Sequence, residues 1–217
     1  MQWIAMATML IDHIGLLWFS DSPAWRIVGR LAFPIYAWYV ATGMSRTRSK
    51  SAYLRRLALL AAVSQVPYSL LIDRWTVNVI GTFLVAAGAV YLMEKCKGHP
   101  LRFVWPFAAA ALMEVDTLSG AEWLGFDYGA YGLALLLIYR YLEKHAMWMA
   151  HLALNLAYVY VFGAPLQAYS IAATFALAFV SESSGWKAYA APRWLWRSFY
   201  PAHLYALWAV AALYPPQ

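Results

Sequence analysis

Residues 2–19 read QWIAMATMLIDHIGLLWF, and the fold turns on this stretch. Only Gln2, Thr8, Asp12 and His13 in it are polar. A membrane helix needs roughly 20 mostly apolar residues, about 17–25 in practice, so the run is long enough to be one. It lacks a basic leader and a small-x-small cleavage site, and reads as a retained first span rather than a cleaved signal peptide. What sets it apart is an acid next to an imidazole where lipid is expected.

The same pattern recurs outward from there. Further candidate spans run near 25–44, 56–72, 77–93, 102–114, 128–142, 147–162, 166–181 and 198–214, the fifth weakened by Pro106. Of the 217 residues 64% are hydrophobic and 12% charged, against about 25% charged in a soluble domain. Twelve Trp and sixteen Tyr suit the lipid headgroup level, where amphipathic rings gather. The expected fold is an all-α, polytopic membrane bundle of eight or nine transmembrane helices. Without repeats, low-complexity tracts or a long linker, it forms one domain over residues 1–217. A net charge of +6 is what basic loops supply and gives no reason to expect nucleic acid. The single cysteine, Cys96, excludes an internal disulfide.

Basic residues set the orientation. With a cytoplasmic N-terminus, the inner loops hold Arg46, Arg48, Lys50, Arg55 and Arg56, then Lys95 and Lys97, then Arg140 and Lys144, and finally Lys187, Arg193 and Arg197. Arg26 and Arg74 fall outside, while the outer loops collect Asp21, Asp73, Glu114, Asp116, Glu122 and Asp127. Nine spans preserve this asymmetry and eight scramble it.

Charges inside a membrane cost about 2.5–3.5 kcal/mol each on insertion scales and face the bundle interior. Asp12 and His13 lie about 18 Å from the inner end of the first span at 1.5 Å per residue. On this topology Arg30, Ser64, Gln65, Asn78, Thr82, Asp127 and Tyr128 fall at a similar depth in the outer half. Asp12 and His13 diverge by about 100° around a helix, so Asp12 is expected to pair with Arg30. A second set, His151 with Asn155 and Tyr200 with His203, falls towards the cytosol, with Pro201 in the first turn of its helix. A functional cavity and a purely structural lock between helices both remain open, as do a proton-coupled small-molecule transporter and a non-enzymatic membrane assembly factor. No Walker loop, nucleophile elbow or metal-type histidine spacing is present.

Seven stretches carry a resemblance. They are Ile11-Asp12-His13-Ile14-Gly15; Gly29-Arg30-Leu31-Ala32-Phe33-Pro34 on to Gly43; Tyr53 to Leu57; Ser64-Gln65-Val66-Pro67; Asn78-Val79 with Thr82; Asp127-Tyr128-Gly129 with Tyr131-Gly132; and Phe199-Tyr200-Pro201 with His203-Leu204. In this order they resemble the TraX-like membrane proteins, named for F-pilin N-acetylation. Ser181–Gly185 departs from the pattern. The resemblance implies an acyltransferase of the bacterial inner membrane, related to transmembrane acyltransferases, that moves acetyl from acetyl-CoA to an amine. That amine would be a pilin-like peptide N-terminus or a small molecule.

On that basis His13 is expected as general base, with Asp12 and Arg30 completing the catalytic set and Arg30 or Asn78 steadying the oxyanion. Gln65, Asn78, Asp127 and Tyr128 would meet the acceptor, while Tyr200 and His203 would sit on the donor side. Arg46, Arg48, Arg55 and Arg56 would hold the CoA phosphates. No metal is expected.

Overall fold

The computed structural model describes residues 1–72, 76–116, 125–180 and 190–215, and these are helical apart from turns and one isolated bridge between Val77 and Phe126. In chain order the helices are α1 (Gln2–Trp18), α2 (Pro23–Gly29), α3 (Ala32–Arg46), α4 (Lys50–Ile72), α5 (Val79–Lys95), α6 (Val104–Met113), α7 (Gly129–Tyr141), α8 (Lys144–Phe162), α9 (Ile171–Phe175) and α10 (Arg193–Leu213). A 3-10 turn, Pro165–Ser170, leads into α9, and a π turn, Ala176–Val180, follows it. Asp73, Arg74, Glu122, Lys187 and the Ser181–Gly185 stretch lie outside the described residues.

The all-helical expectation holds, but among the described residues no helix is long and apolar enough to cross a membrane. Two of the expected spans are interrupted near prolines. The expected second span, 25–44, is two helices with a turn at Arg30 and Leu31. Pro34 is the cause: in a continuous helix its ring would clash with the carbonyl of Arg30, whose hydrogen bond it also cannot supply. In α3 it sits in the first turn, where no donor is needed. Arg30 therefore caps α2, its N–H bonded to the Arg26 carbonyl, rather than lying inside a span. Pro165 likewise opens a 3-10 turn. In contrast, Pro201, expected at a helix start, stands in the interior of α10.

The chain forms two compact units, Met1–Tyr39 with Tyr141–Gln217, and Val40–Arg140. In the first, α1 and α2 make a tight hairpin. A Cβ on Gly15 would overlap Trp25, and one on Gly29 would overlap Asp12, so both glycines permit contact that alanine would block. The end of α1 is further tied by Trp18, whose ring N–H donates to the Tyr214 carbonyl at 3.0 Å. Tyr36 stacks on Trp196 of α10, centroids 4.6 Å apart. In the second unit α4 packs on α5 and α5 on α6. Lys50 and Arg140 both pair with Glu94, Arg140 at 2.7 Å, and Arg140 also donates to Ser45 at 3.0 Å.

Several helices are apolar outside and polar within. On α8, Met147, His151 and Asn155 are buried while Met149, Leu156 and Tyr160 are exposed. On α4, Ser64 is fully buried, and Leu59, Val63, Val66 and Leu70 form an exposed stripe at helical spacing. The second half of α10 exposes Tyr205, Trp208, Val210 and Leu213 around a buried His203.

Candidate functional site

In the first unit the consecutive residues Asp12 and His13 reach different neighbours, as their divergence around the helix requires. The ion pair of Asp12 is made by Arg26, one turn before the end of α2, at 2.9 Å. The expected partner, Arg30, lies beyond the helix end and places its Nη1 3.5 Å from Gln167 Oε1. Asp12 Oδ1 and Gln167 Nε2 are buried and make no hydrogen bond among the described residues.

His13 points to α10. Its Nδ1 is 2.8 Å from Nε2 of His203, which is buried. The two histidines, expected at opposite depths, are thus in direct contact. The reason lies in the interior position of Pro201: α10 begins at Arg193, so His203 stands mid-helix beside α1 rather than at a helix start. His203 Nδ1 lies 2.8 Å from the Phe199 carbonyl, its ring stacks on Phe199 at 4.8 Å, and Tyr200 meets its edge at 5.6 Å. No hydrogen bond from His13 Nε2 to a described residue is present.

A second buried network of the first unit joins α8 to the 165–175 segment. His151 Nδ1 is 2.5 Å from Thr174 Oγ1 and its Nε2 is 3.2 Å from Ser170 Oγ, which also receives Asn155 Nδ2 at 3.2 Å. Each of these side chains has a partner, which is how buried polar groups stay affordable in a helical bundle. Ser170 and Thr174 escaped the sequence reading, although two hydroxyls one turn apart in an apolar run could have suggested them. Arg26 and Gln167 escaped it as well.

In the second unit, Asn78 caps α5. Its Oδ1 accepts from the N–H groups of Ile80 and Gly81 at 3.0 and 3.2 Å, and its Nδ2 donates to Gln65 Oε1 at 2.7 Å and the Ala61 carbonyl at 2.9 Å. Gln65 returns its own Nε2 to Ser69 and the Thr76 carbonyl. Both amide hydrogens of Asn78 are therefore engaged, leaving none for an oxyanion, and Gln65 is bound up in the same cap. Thr82 Oγ1 donates to the Asp127 carbonyl at 2.5 Å. Tyr128 adopts φ 64°, a left-handed value uncommon for a non-glycine residue, just before α7. Glu114 Oε1 accepts from the Ala130 N–H in the first turn of α7 at 2.7 Å.

Arg46, Arg48, Arg55 and Arg56 lie exposed around the α3–α4 turn of this unit. Ser49 Oγ caps α4 through the Ala52 N–H, and the Arg56 guanidinium rests 5.7 Å from the Tyr53 ring centroid. Burial pushes the Tyr53 phenol up to about 12 against the opposing pull of Arg56. Lys50 is held by Glu94. No group of three or more metal-binding side chains is present among the described residues.

A helical protein with apolar outer faces, buried polar clusters and a histidine pair between its first and last helices defines the class. The chain belongs to the TraX family, whose model, described as "TraX protein", matches residues 1–211. It is similar to the "Probable fimbrial assembly protein FimC, serogroup H1" of Dichelobacter nodosus, at 30% identity over 168 residues, 69% of this chain. The chain spans 64% of the length of that relative. No solved structure matches it.

Proposed function

We propose that this protein is an integral protein of the bacterial inner membrane that transfers acetyl from acetyl-CoA to an amine, either a pilin-like peptide N-terminus or a small molecule. Family membership and the fimbrial assembly relative support a role in processing pilin or assembling pili. The exposed apolar faces of α4, α8 and α10 around buried histidines and amides support the membrane, since water-facing helices carry the reverse pattern. Helices α1 and α5 have 17 residues each, about 25 Å at 1.5 Å per residue, against a hydrocarbon core of about 30 Å. Local bilayer thinning and snorkelling flanks accommodate such short helices.

The observation that carries the reading is His13, half-buried in α1, held through Nδ1 and unbonded at Nε2 among the described residues. An imidazole so placed can take the proton of an amine as it attacks a thioester. Within the same unit, Arg30 would steady the oxyanion. Mass spectrometry of the purified protein with acetyl-CoA and a panel of amines and pilin-like peptides tests this, acetylated acceptor being the expected product. The word "assembly" in the relative's description favours a second reading, a non-catalytic pilus assembly factor. A stable complex with pilin and no acetylated product would favour it.

A further inference from the structure

Resting on the acyl-transfer reading above, we propose that His203 is a positioning residue that locks His13 in its Nδ1–H tautomer, so that the Nε2 lone pair is kept for the acceptor amine.

The carbonyl oxygen of Phe199, 2.8 Å from His203 Nδ1, can only accept, so Nδ1 carries a hydrogen. A neutral imidazole has one donor and one acceptor nitrogen, which makes His203 Nε2 an acceptor. Its partner, 2.8 Å away, is His13 Nδ1, which must then donate. The hydrogen of His13 is thereby assigned to Nδ1, and the lone pair is left on Nε2.

Geometry makes the assignment firm. The ring centroids are 5.0 Å apart with planes inclined by only 21°, while the nitrogens approach to 2.8 Å. The rings therefore meet edge to edge, and the N–H lies nearly in line with the lone pair it meets. His203 cannot readily turn to present its other nitrogen. It is 6% exposed, stacked on Phe199 with 10° between planes and blocked at its edge by Tyr200. The relay runs in one direction, from His13 to His203 to the carbonyl of Phe199. The second ring nitrogen of a working histidine is set by the bond the first one makes.

In the transfer, the amine nitrogen bonds to the thioester carbonyl carbon as one of its hydrogens passes to His13 Nε2. Collapse of the tetrahedral intermediate breaks the C–S bond, and the departing sulfur takes that hydrogen from Nε2. The products are the amide and the free CoA thiol, with the imidazole restored. Between the two proton transfers, His203 Nε2 accepts from the His13 imidazolium and steadies its charge.

Nitrogen NMR of full-length protein carrying labelled histidine, in lipid nanodiscs, reads the tautomer directly. The expected wild-type result is a protonated Nδ1 and a bare Nε2 on His13. In His203→Leu the preference should disappear. In His203→Gln it should return, because the amide oxygen accepts from Nδ1–H while the amide NH2 donates to Phe199. Acetyl transfer should follow, falling at least about 100-fold in kcat for His203→Leu with an unchanged KM for acetyl-CoA, and recovering in His203→Gln. A wild-type His13 protonated at Nε2, or an Nδ1–H tautomer that persists in His203→Leu, overturns the proposal. If His203→Leu does not fold, the wild-type spectrum and His203→Gln decide. If the tautomer obeys His203 while the wild type transfers no acetyl, the positioning stands and the acyl-transfer reading falls.

Discussion

Asp12 is paired with Arg26 at 2.9 Å across the α1–α2 hairpin, leaving its neighbour His13 to face α10. One helix thus directs two adjacent ionisable side chains to two different partners. The hairpin holds the helix in the rotation that aims the imidazole.

Gly29 is where the hairpin is tightest, since an added Cβ would overlap the Asp12 side chain. Gly29→Ala is expected to lower stability by about 1–3 kcal/mol, the usual cost of overpacking. Thermal unfolding in detergent reads the change. An unchanged midpoint would contradict the packing described here.

Glu94 offers a pH test. Burial raises its pKa, but the bonds and charges of Lys50 and Arg140 together outweigh that and hold it below the ordinary carboxylate value. A group lowered on folding contributes stability that is complete above its unfolded pKa, about 4.3 for Glu, and is lost as pH falls through the folded value. Glu94→Gln should therefore cost on the order of 1 kcal/mol at neutral pH, and the difference should vanish in acid. Denaturant unfolding of both proteins between neutral and acidic pH measures it, and a gap that widens in acid would count against the network.

Of these features the sequence discloses some and hides others. Helicity and the presence of buried polar residues are readable because apolar runs and ionisable side chains are local facts. Asp12, His13, Asn155 and His203 stand out for that reason. Partners are not local. Arg26 rather than Arg30 meets Asp12 because Pro34 breaks the chain at Arg30 and the short hairpin sets the register, and neither effect shows in hydropathy. The contact of His13 with His203 joins residues 190 apart. A depth count that starts the last helix near residue 198 instead of Arg193 puts them on opposite sides. Asn78 was legible as polar but not as a cap, since a capping residue and a ligand have the same composition.

The exposed stripe of α4 tests the membrane reading. A nitroxide on Val63→Cys, in a Cys96→Ser background, should be reached by oxygen far better than by a water-soluble nickel complex in lipid vesicles. A label on Arg48→Cys should show the opposite preference. Equal access of the nickel complex to both labels would remove α4 from the lipid.

We propose that the exposed arginines of the α3–α4 turn bind the phosphates of acetyl-CoA. Replacing Arg48 and Arg55 by Ala should raise the KM for acetyl-CoA about tenfold, the loss of roughly one charge-assisted hydrogen bond, with kcat little changed. The same double variant should no longer distinguish acetyl-CoA from its 3′-dephospho analogue. An unaltered KM would leave those charges to topology alone.

The most direct test compares wild type and His13→Ala, both verified as folded by circular dichroism and thermal unfolding, for acetyl-CoA-dependent acetylation of an amine acceptor by mass spectrometry. The expected result is acetylated product from wild type and a loss of at least about 100-fold in His13→Ala. Near-normal turnover in His13→Ala would contradict the account.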